Sequence, residues 1–338
     1  MKFFIFLLAG VLAISSCRQN NTASRKELVI AFGSCNRTTQ PQDIWPAILA
    51  NEPDVFIWLG DIIYGDSHNM AVLSSKYKKL AGEPDYQKLA KQAEIIGVWD
   101  DHDYGQNDGG KYYPQKDSSK LMLMDFLHTP ENDPVRTRAG FYTSYLYGNA
   151  PEQVKVILLD ARYFRDTVLA DPSGARRYIP NPDGDILGEE QWEWLRKELE
   201  DNSAKVNIIG CGIQMIPAEH GFEKWANFPK SRERLFNLLN ETRPSCPILI
   251  SGDRHIAELS AYSLDENYTL TEFTSSGLTH TWSSMWPEEN RYRIGETIVK
   301  RNFGILRIQW ENTPRVTLEV RGLGDSLFKE HQVFIPNN

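Results

Sequence analysis

The chain has 338 residues, enough for one large catalytic domain or two small ones. Its 41% hydrophobic and 24% charged content is ordinary for a globular protein. A formal charge of −8, a pI of about 5.5 and the lack of a basic patch argue against nucleic acid as a standing partner; an acidic protein that binds cations can still take an anionic substrate.

In chain order, the first segment reads as a processing signal. Lys2 precedes the apolar run FFIFLLAGVLAI (3–14), and Ser15 and Ser16 then precede Cys17. This is similar to a bacterial lipoprotein signal over residues 1–16, and the run is too short for a membrane span. Cleavage before Cys17 would leave a lipidated cysteine, so the expectation is an exported, membrane-anchored protein of the periplasm or cell surface. An ordinary cleaved signal peptide is the alternative. Residues 17–27, with the polar stretch RQNNTASRKE, read as a tether. Residues 28–338 carry no repeat, low-complexity segment or linker, and are expected to form a single, monomeric domain.

Strands are predicted at 28–34, 54–60, 94–100, 141–148, 154–160, 205–213 and 247–252, and later at 268–276, 303–310 and 315–320. The early runs are continuously apolar, as in strands buried on both faces. The last two pair across a turn at Asn312, Thr313 and Pro314, like an antiparallel hairpin. Helices are predicted at 42–52, at 70–91 with a break near Gly82 and Pro84, and at 118–128, 188–201 and 229–241. The fourth opens with acids and closes with bases, and the fifth begins at Pro229. The order suggests an α/β fold, βα-like early and antiparallel late.

Three of the apolar runs end abruptly in ionisable groups: WLGDIIYGD (58–66), VWDDHDYGQND (98–108) and ISGDRHIA (250–257). Asp61 after a buried strand could bridge two cations about 3.5 Å apart, and the Tyr64 phenolate is a hard ligand for Fe(III). The alternative is a helix-capping Asp and a packing Tyr. In the run Asp100, Asp101, His102 and Asp103, the packed carboxylates would repel one another unless a cation neutralises them. His102 could then contact a phosphate oxygen or protonate a leaving group; a surface charge run is the alternative. Asn107 could serve a phosphate or a turn. Asp253 and His255 form a D-x-H whose side chains can point alike from an extended segment, against a satisfied core histidine. Arg162, in ILLDARYFRD, could fork onto a phosphate, or form a buried pair with Asp160. Gln214 is a weaker candidate, and Trp282, in THTW (279–282), could stack on an aromatic leaving group. Cys211 and Cys246 lie in apolar runs as small buried hydrophobes, whereas Cys35 follows Gly33 and Ser34 at a strand end. P-loop, GxGxxG, G-x-S-x-G, HExxH and CxxC motifs are absent.

Taken together, FGSCNR (32–37), LGDIIYGD (59–66), VWDDHDYGQND (98–108), LDARYFRD (159–166), LGEEQWEWL (187–195), WANFPKSRERL (225–235) and SGDRHIAEL (251–259) resemble the alkaline phosphatase D (PhoD-like) branch of the metallophosphatases. The resemblance implies a four-layer αββα sandwich of two mixed sheets flanked by helices. It also implies an iron–calcium centre: Cys35, Asp61, Tyr64 and His255 around iron, and Asp61, Asp101 and Asp253 around the second metal. Whether Asp100 or Asp101 is the ligand stays open. The chain reaches FGSC by residue 32, so the large N-terminal β-domain of some members has no room there. The expected activity is metal-dependent hydrolysis of phosphate esters, most simply as a phosphomonoesterase. His102 would assist the leaving group, and Arg162 and Asn107 would clamp the phosphate. A phosphodiesterase or phospholipase D-like enzyme is the runner-up, and a non-catalytic, metal-stabilised surface lipoprotein comes third.

Overall fold

The computed structural model describes residues 27–282 and 288–336. The signal segment, Cys17 and nearly all of the tether lie outside the described residues. In chain order the elements are β1 (Glu27–Gly33), α1 (Trp45–Leu49), β2 (Val55–Leu59), α2 (Met70–Ala81), α3 (Pro84–Gln92) and β3 (Glu94–Val98). Then come α4 (Asp101–Tyr104), α5 (Lys116–Phe126), β4 (Thr143–Tyr147), β5 (Val154–Leu159) and the short pair β6 (Leu169–Ala170) and β7 (Tyr178–Ile179). The remainder is α6 (Gly188–Glu200), β8 (Val206–Cys211), α7 (Pro229–Thr242), β9 (Pro247–Ser251), β10 (Ala257–Asp265), β11 (Tyr268–Ser275), β12 (Arg293–Ile298), β13 (Asn302–Gln309), β14 (Arg315–Gly322) and β15 (Leu327–Phe334).

Two mixed sheets face each other. One runs β15-β14-β13-β1-β2-β3, the other β12-β10-β11-β9-β8-β5-β4. Within them β1, β2 and β3 are parallel, as are β5, β8, β9 and β11. Side-chain alternation builds the layers. Val156, Leu158, Ile208, Ile248 and Ile250 pack inward against the first sheet, while Ile157, Leu159, Ile209 and Leu249 pack outward with α6 and α7. On the opposite outer face, Phe56 and Trp58 of β2 meet Trp45 of α1 edge-on, and Trp58 also meets Tyr86 of α3 at a tilt. The expected helix–sheet–sheet–helix architecture is the observed one.

The predicted helices form near their expected positions, and the 70–91 stretch breaks at Gly82. Acids in the first turn of α6 and Lys197 in its last complement the helix dipole. The strands β10, β12 and β15 were not anticipated. β15 alternates exposed and half-buried residues and carries Lys329, Glu330 and His331, so its apolar signal is faint, as on a guarded edge strand. Cys35, Cys211 and Cys246 are all free and buried.

The sheets pinch together at one point, the Cβ of Asp100. A Cβ on Gly60, after β2, would lie 2.1 Å from it, and one on Gly212, after β8, would lie 2.4 Å from the Asp100 carboxylate. Gly60 also sits at φ +75°, where a side chain is strained. Gly60→Ala should therefore destabilise the fold by roughly 2–4 kcal/mol. Urea unfolding would check this; an unchanged midpoint would mean that the pinch is slack.

Candidate metal centre

The C-terminal ends of the parallel strands of both sheets meet at one edge, where α/β folds hold their ligands. β1 delivers Cys35, β2 delivers Asp61 and Tyr64, β3 delivers Asp100 to Asp103, and β9 delivers Asp253 and His255. Four of these residues leave their strands in the left-handed region: Cys35 (φ 59°), Asp61 (φ 49°), Asp253 (φ 66°) and His255 (φ 54°). Non-glycine residues are held there only where the surroundings force them, and such strain gathers at functional sites. The extended D-x-H expectation is corrected: a left-handed turn, not strand geometry, brings Asp253 and His255 to the site.

On one side, the Cys35 thiol donates to Asp61 Oδ2 at 3.4 Å and the Tyr64 hydroxyl donates to the same oxygen at 3.3 Å. The Tyr64 hydroxyl also lies 3.1 Å from Nε2 of both His255 and His280. Donor atoms of Cys35, Asp61 and His255 all lie within 4.8 Å of one another. So do those of Asp61, Asp101 and His102, and those of Asp100, Asp101 and Asp253. Asp61 thus touches both sides. Both Asp100 and Asp101 reach the second side, so the choice between them is not forced by position. Asp103 faces away, and its Oδ1 accepts the backbone N–H groups of Asp61 (3.0 Å) and Asp100 (2.8 Å), fixing the two ligand loops to each other.

The charge balance calls for a cation. Burial drives the Asp61 and Asp100 carboxyls well above the usual range, and burial raises Asp253 and Asp103 to about 7. Burial also pushes the Cys35 thiol and Tyr64 phenol well up. Only Asp101 is held down, because Arg162, His102 and the Asp108 N–H outweigh its burial. Four buried carboxylate oxygens (Asp61 Oδ1, Asp100 Oδ2, Asp101 Oδ1 and Asp103 Oδ2) have no donor. Buried acceptors without partners are costly, and cations would satisfy them. Burial, with His280 and His102 beside it, lowers His255 to about 3, leaving the neutral imidazole that a metal needs. The donor set fits the implied metals: thiol, phenol and imidazole on one side, hard carboxylates on the other.

The remaining expected residues fall differently. His102 stacks on the Tyr64 ring, centroids 4.1 Å apart, and its Nδ1 lies 2.7 Å from Asp66. Asn107 is exposed and donates to Asp108. Arg162 has no exposed surface: Asp100 and Glu223 flank its guanidinium at 2.5 and 2.7 Å, with Gly109 O at 3.3 Å. Its expected fork onto a phosphate is corrected to a buried pairing role, with Asp100 rather than Asp160 as the partner. Asp160 instead accepts from the Trp99 indole and the N–H groups of Phe141, Arg162 and Tyr163. Gln214 turns away to Glu258 and Thr274. Trp282, partly exposed, stacks on His255. Sequence reasoning passed over Arg37, whose exposed guanidinium sits 4.5 Å above the Tyr64 ring with no carboxylate partner among the described residues. It stands in the quoted FGSCNR motif, and a basic residue two places after a candidate ligand was the available signal.

A sequence model of the PhoD-like phosphatases matches residues 30–312. Among curated proteins, the chain is 22% identical over 306 residues to alkaline phosphatase D of Bacillus subtilis (strain 168), covering 76% of this chain and 52% of that protein. The chain therefore spans about half the length of this relative. Among solved structures, that of PhoD superposes with a TM-score of 0.68 at 16% identity, covering 92% of this chain and 69% of its own. GAP50, the anchor in the inner membrane complex of Plasmodium, gives 0.63 at 12% identity, covering 92% and 90%. The purple acid phosphatase PPD1 of yellow lupin gives 0.63 at 13%, covering 91% and 54%. These likenesses establish a shared fold.

The raised carboxyls set the sign of a pH effect. Asp103 and Asp253 titrate at about 7 when folded and at about 4 when unfolded. Between those values the folded state holds more protons, so stability falls as pH rises. Thermal unfolding in excess chelator should show this decline, and divalent cations should reverse it near neutrality. Stability that climbed with pH under chelation would contradict the assignment.

Proposed function

This chain belongs to the PhoD-like phosphatase family, and on that premise we propose that it hydrolyses phosphate monoesters through a dinuclear iron–calcium centre. One observation carries the reading: the donor-less buried oxygens of Asp61, Asp100 and Asp101 lie where a thiol, a phenol and an imidazole also converge. Cys35, Asp61, Tyr64 and His255 would hold the iron. Asp61, Asp253 and one or both of Asp100 and Asp101 would hold the calcium. When bound, such cations polarise phosphoryl oxygens and supply a nucleophile at neutral pH.

The protein's own groups do the rest. The departing ester oxygen needs a proton. His102 keeps Nδ1 toward Asp66, which leaves Nε2 for the leaving group. Burial alone would lower its pKa, but Asp61, Asp66 and Asp101 raise it to about 10. Cations on Asp61 and Asp101 would cancel part of that rise and bring His102 back toward working pH. Arg37, exposed and without a counter-ion among the described residues, would receive the phosphoryl oxygens, while Arg162 holds Asp100 in place from behind. The reading includes export and a lipid anchor on Cys17, supported by the N-terminal pattern.

The purified protein should hydrolyse an aryl phosphate monoester faster than the matched diester, and chelator should abolish both. The reverse preference would make it a phosphodiesterase; no turnover with iron and calcium verified present would sink the enzymatic reading. Asp61→Asn should lose metal and activity together. His102→Ala should keep its metal while kcat falls by about 10²–10⁴. Arg37→Ala should lower kcat/KM by about tenfold or more without releasing metal. Metal analysis beside steady-state kinetics separates these outcomes.

A further inference from the structure

The loop between β8 and α7, with Arg254 after β9, carries a second cluster, rich in buried donors. Lys224 is 3% exposed, and its ammonium donates to Phe222 O at 3.0 Å. No carboxylate pairs with it among the described residues. His220 is equally buried. Its Nδ1 accepts the Phe222 N–H at 3.3 Å, which assigns the ring proton to Nε2, and that atom has no partner. Arg254 is buried as well; one terminal nitrogen binds Glu288 at 2.5 Å, but Nε has no partner.

Phe222 gathers the three groups. Its ring centroid lies 6.4 Å from that of His220 and 4.5 Å from the Arg254 guanidinium, and its carbonyl holds Lys224. The same ring lies 5.9 Å from Trp282, which stacks on His255 at 5.2 Å and donates its indole N–H to Arg254 O at 3.0 Å. Arg254 itself stands between the two ligand residues Asp253 and His255. The cluster is thus one aromatic layer from the metal centre.

Burial, with Arg254 and Arg176 nearby, lowers Lys224 to about 8, and burial with Arg254 and Lys224 holds His220 well below its usual value. Arg254 and Arg176 act on Lys224 as like charges, and Glu288 and Glu223 offset only part of that repulsion. Buried donors are normally satisfied, and two that lack acceptors, His220 Nε2 and Arg254 Nε, beside a buried ammonium with no carboxylate in contact among the described residues, match an oxyanion.

We propose that Lys224, His220 and Arg254 form a second anion subsite, which takes a second phosphate group on the substrate beside the scissile one. This rests on the phosphoesterase reading for its role in catalysis, but the binding itself can be tested without turnover. Full-length protein in excess chelator, at mildly acidic pH, would be melted against increasing orthophosphate and pyrophosphate. Wild type should gain Tm with anion concentration, and Arg37→Ala should still gain, which shows binding beyond the mouth. Lys224→Met should melt higher than wild type without anion, because an unpaired buried charge is gone, and should not respond to anion. Lys224→Arg should retain part of the response. A flat wild-type titration, or a Lys224→Met response parallel to wild type, would overturn the proposal.

The catalytic arm uses metal-loaded protein and two monoesters that differ only in a second phosphate in place of a hydroxyl. Wild type should prefer the bisphosphate, and Lys224→Met should cut that preference by about tenfold. An equal loss on both substrates would reduce Lys224 to a structural role. A phosphate response in the melts with no turnover of either ester would retain the subsite and discard the phosphoesterase reading.

Discussion

Four carboxylates, Asp61, Asp100, Asp101 and Asp253, crowd around one point, the first three buried and Asp253 half-buried, with buried Asp103 facing away beside them, and the rest of the molecule is arranged to hold them there. Left alone, they repel one another and lose their hydration. The protein supplies partial relief. Arg162 stands behind Asp100, His102 stands beside Asp61 and Asp101, and backbone N–H groups bind Asp103 and Asp101. What remains is a deficit of positive charge, which is the physical definition of a cation site.

The two-sheet architecture makes such crowding possible. Each ligand follows a strand that is buried on both faces, so the last strand residue is fixed by packing and the next residue turns sharply inward. Glycines at 60 and 212 remove the side chains that would keep β2, β3 and β8 apart. Behind the carboxylates, Arg162 and Arg165 share Glu223, an ion network with almost no solvent access. Buried pairs of this kind contribute little net stability, but they fix geometry. Here the network ties the loop after β5 to the loop after β8, and through Glu223 to the neighbouring Lys224.

Much of this was legible in the sequence, for a physical reason. A continuously apolar run must be a buried strand, and a carboxylate immediately after it must lie at a sheet end, so Asp61, Asp100, Asp101 and Asp253 announced themselves. What was not legible depends on long-range pairing or on backbone conformation. Nothing near Arg162 in sequence points to Asp100 or Glu223, so the partners of a buried Arg162 could not be read. The left-handed turns at Asp253 and His255 have no signature, because neither residue is glycine. The strands β10, β12 and β15 carry mixed or polar patterns that become strands only through their neighbours in the sheet. Arg37 and His280 are ordinary residues until Tyr64 is placed between them.

On the proposal that this chain is exported, its three described cysteines, all buried, have a consequence in an oxidising compartment. Thiol oxidation requires both the thiolate and an approach path. Burial denies the approach and pushes Cys211 and Cys246 to about 12, and Cys35 well above its usual value. The folded molecule thus carries free thiols without needing a reductant to protect them. The vulnerable interval is before the sheets close, when an unfolded chain can form wrong disulfides or sulfenic acids. Redox damage to this protein is therefore a hazard of its folding, and the finished fold is its own antioxidant.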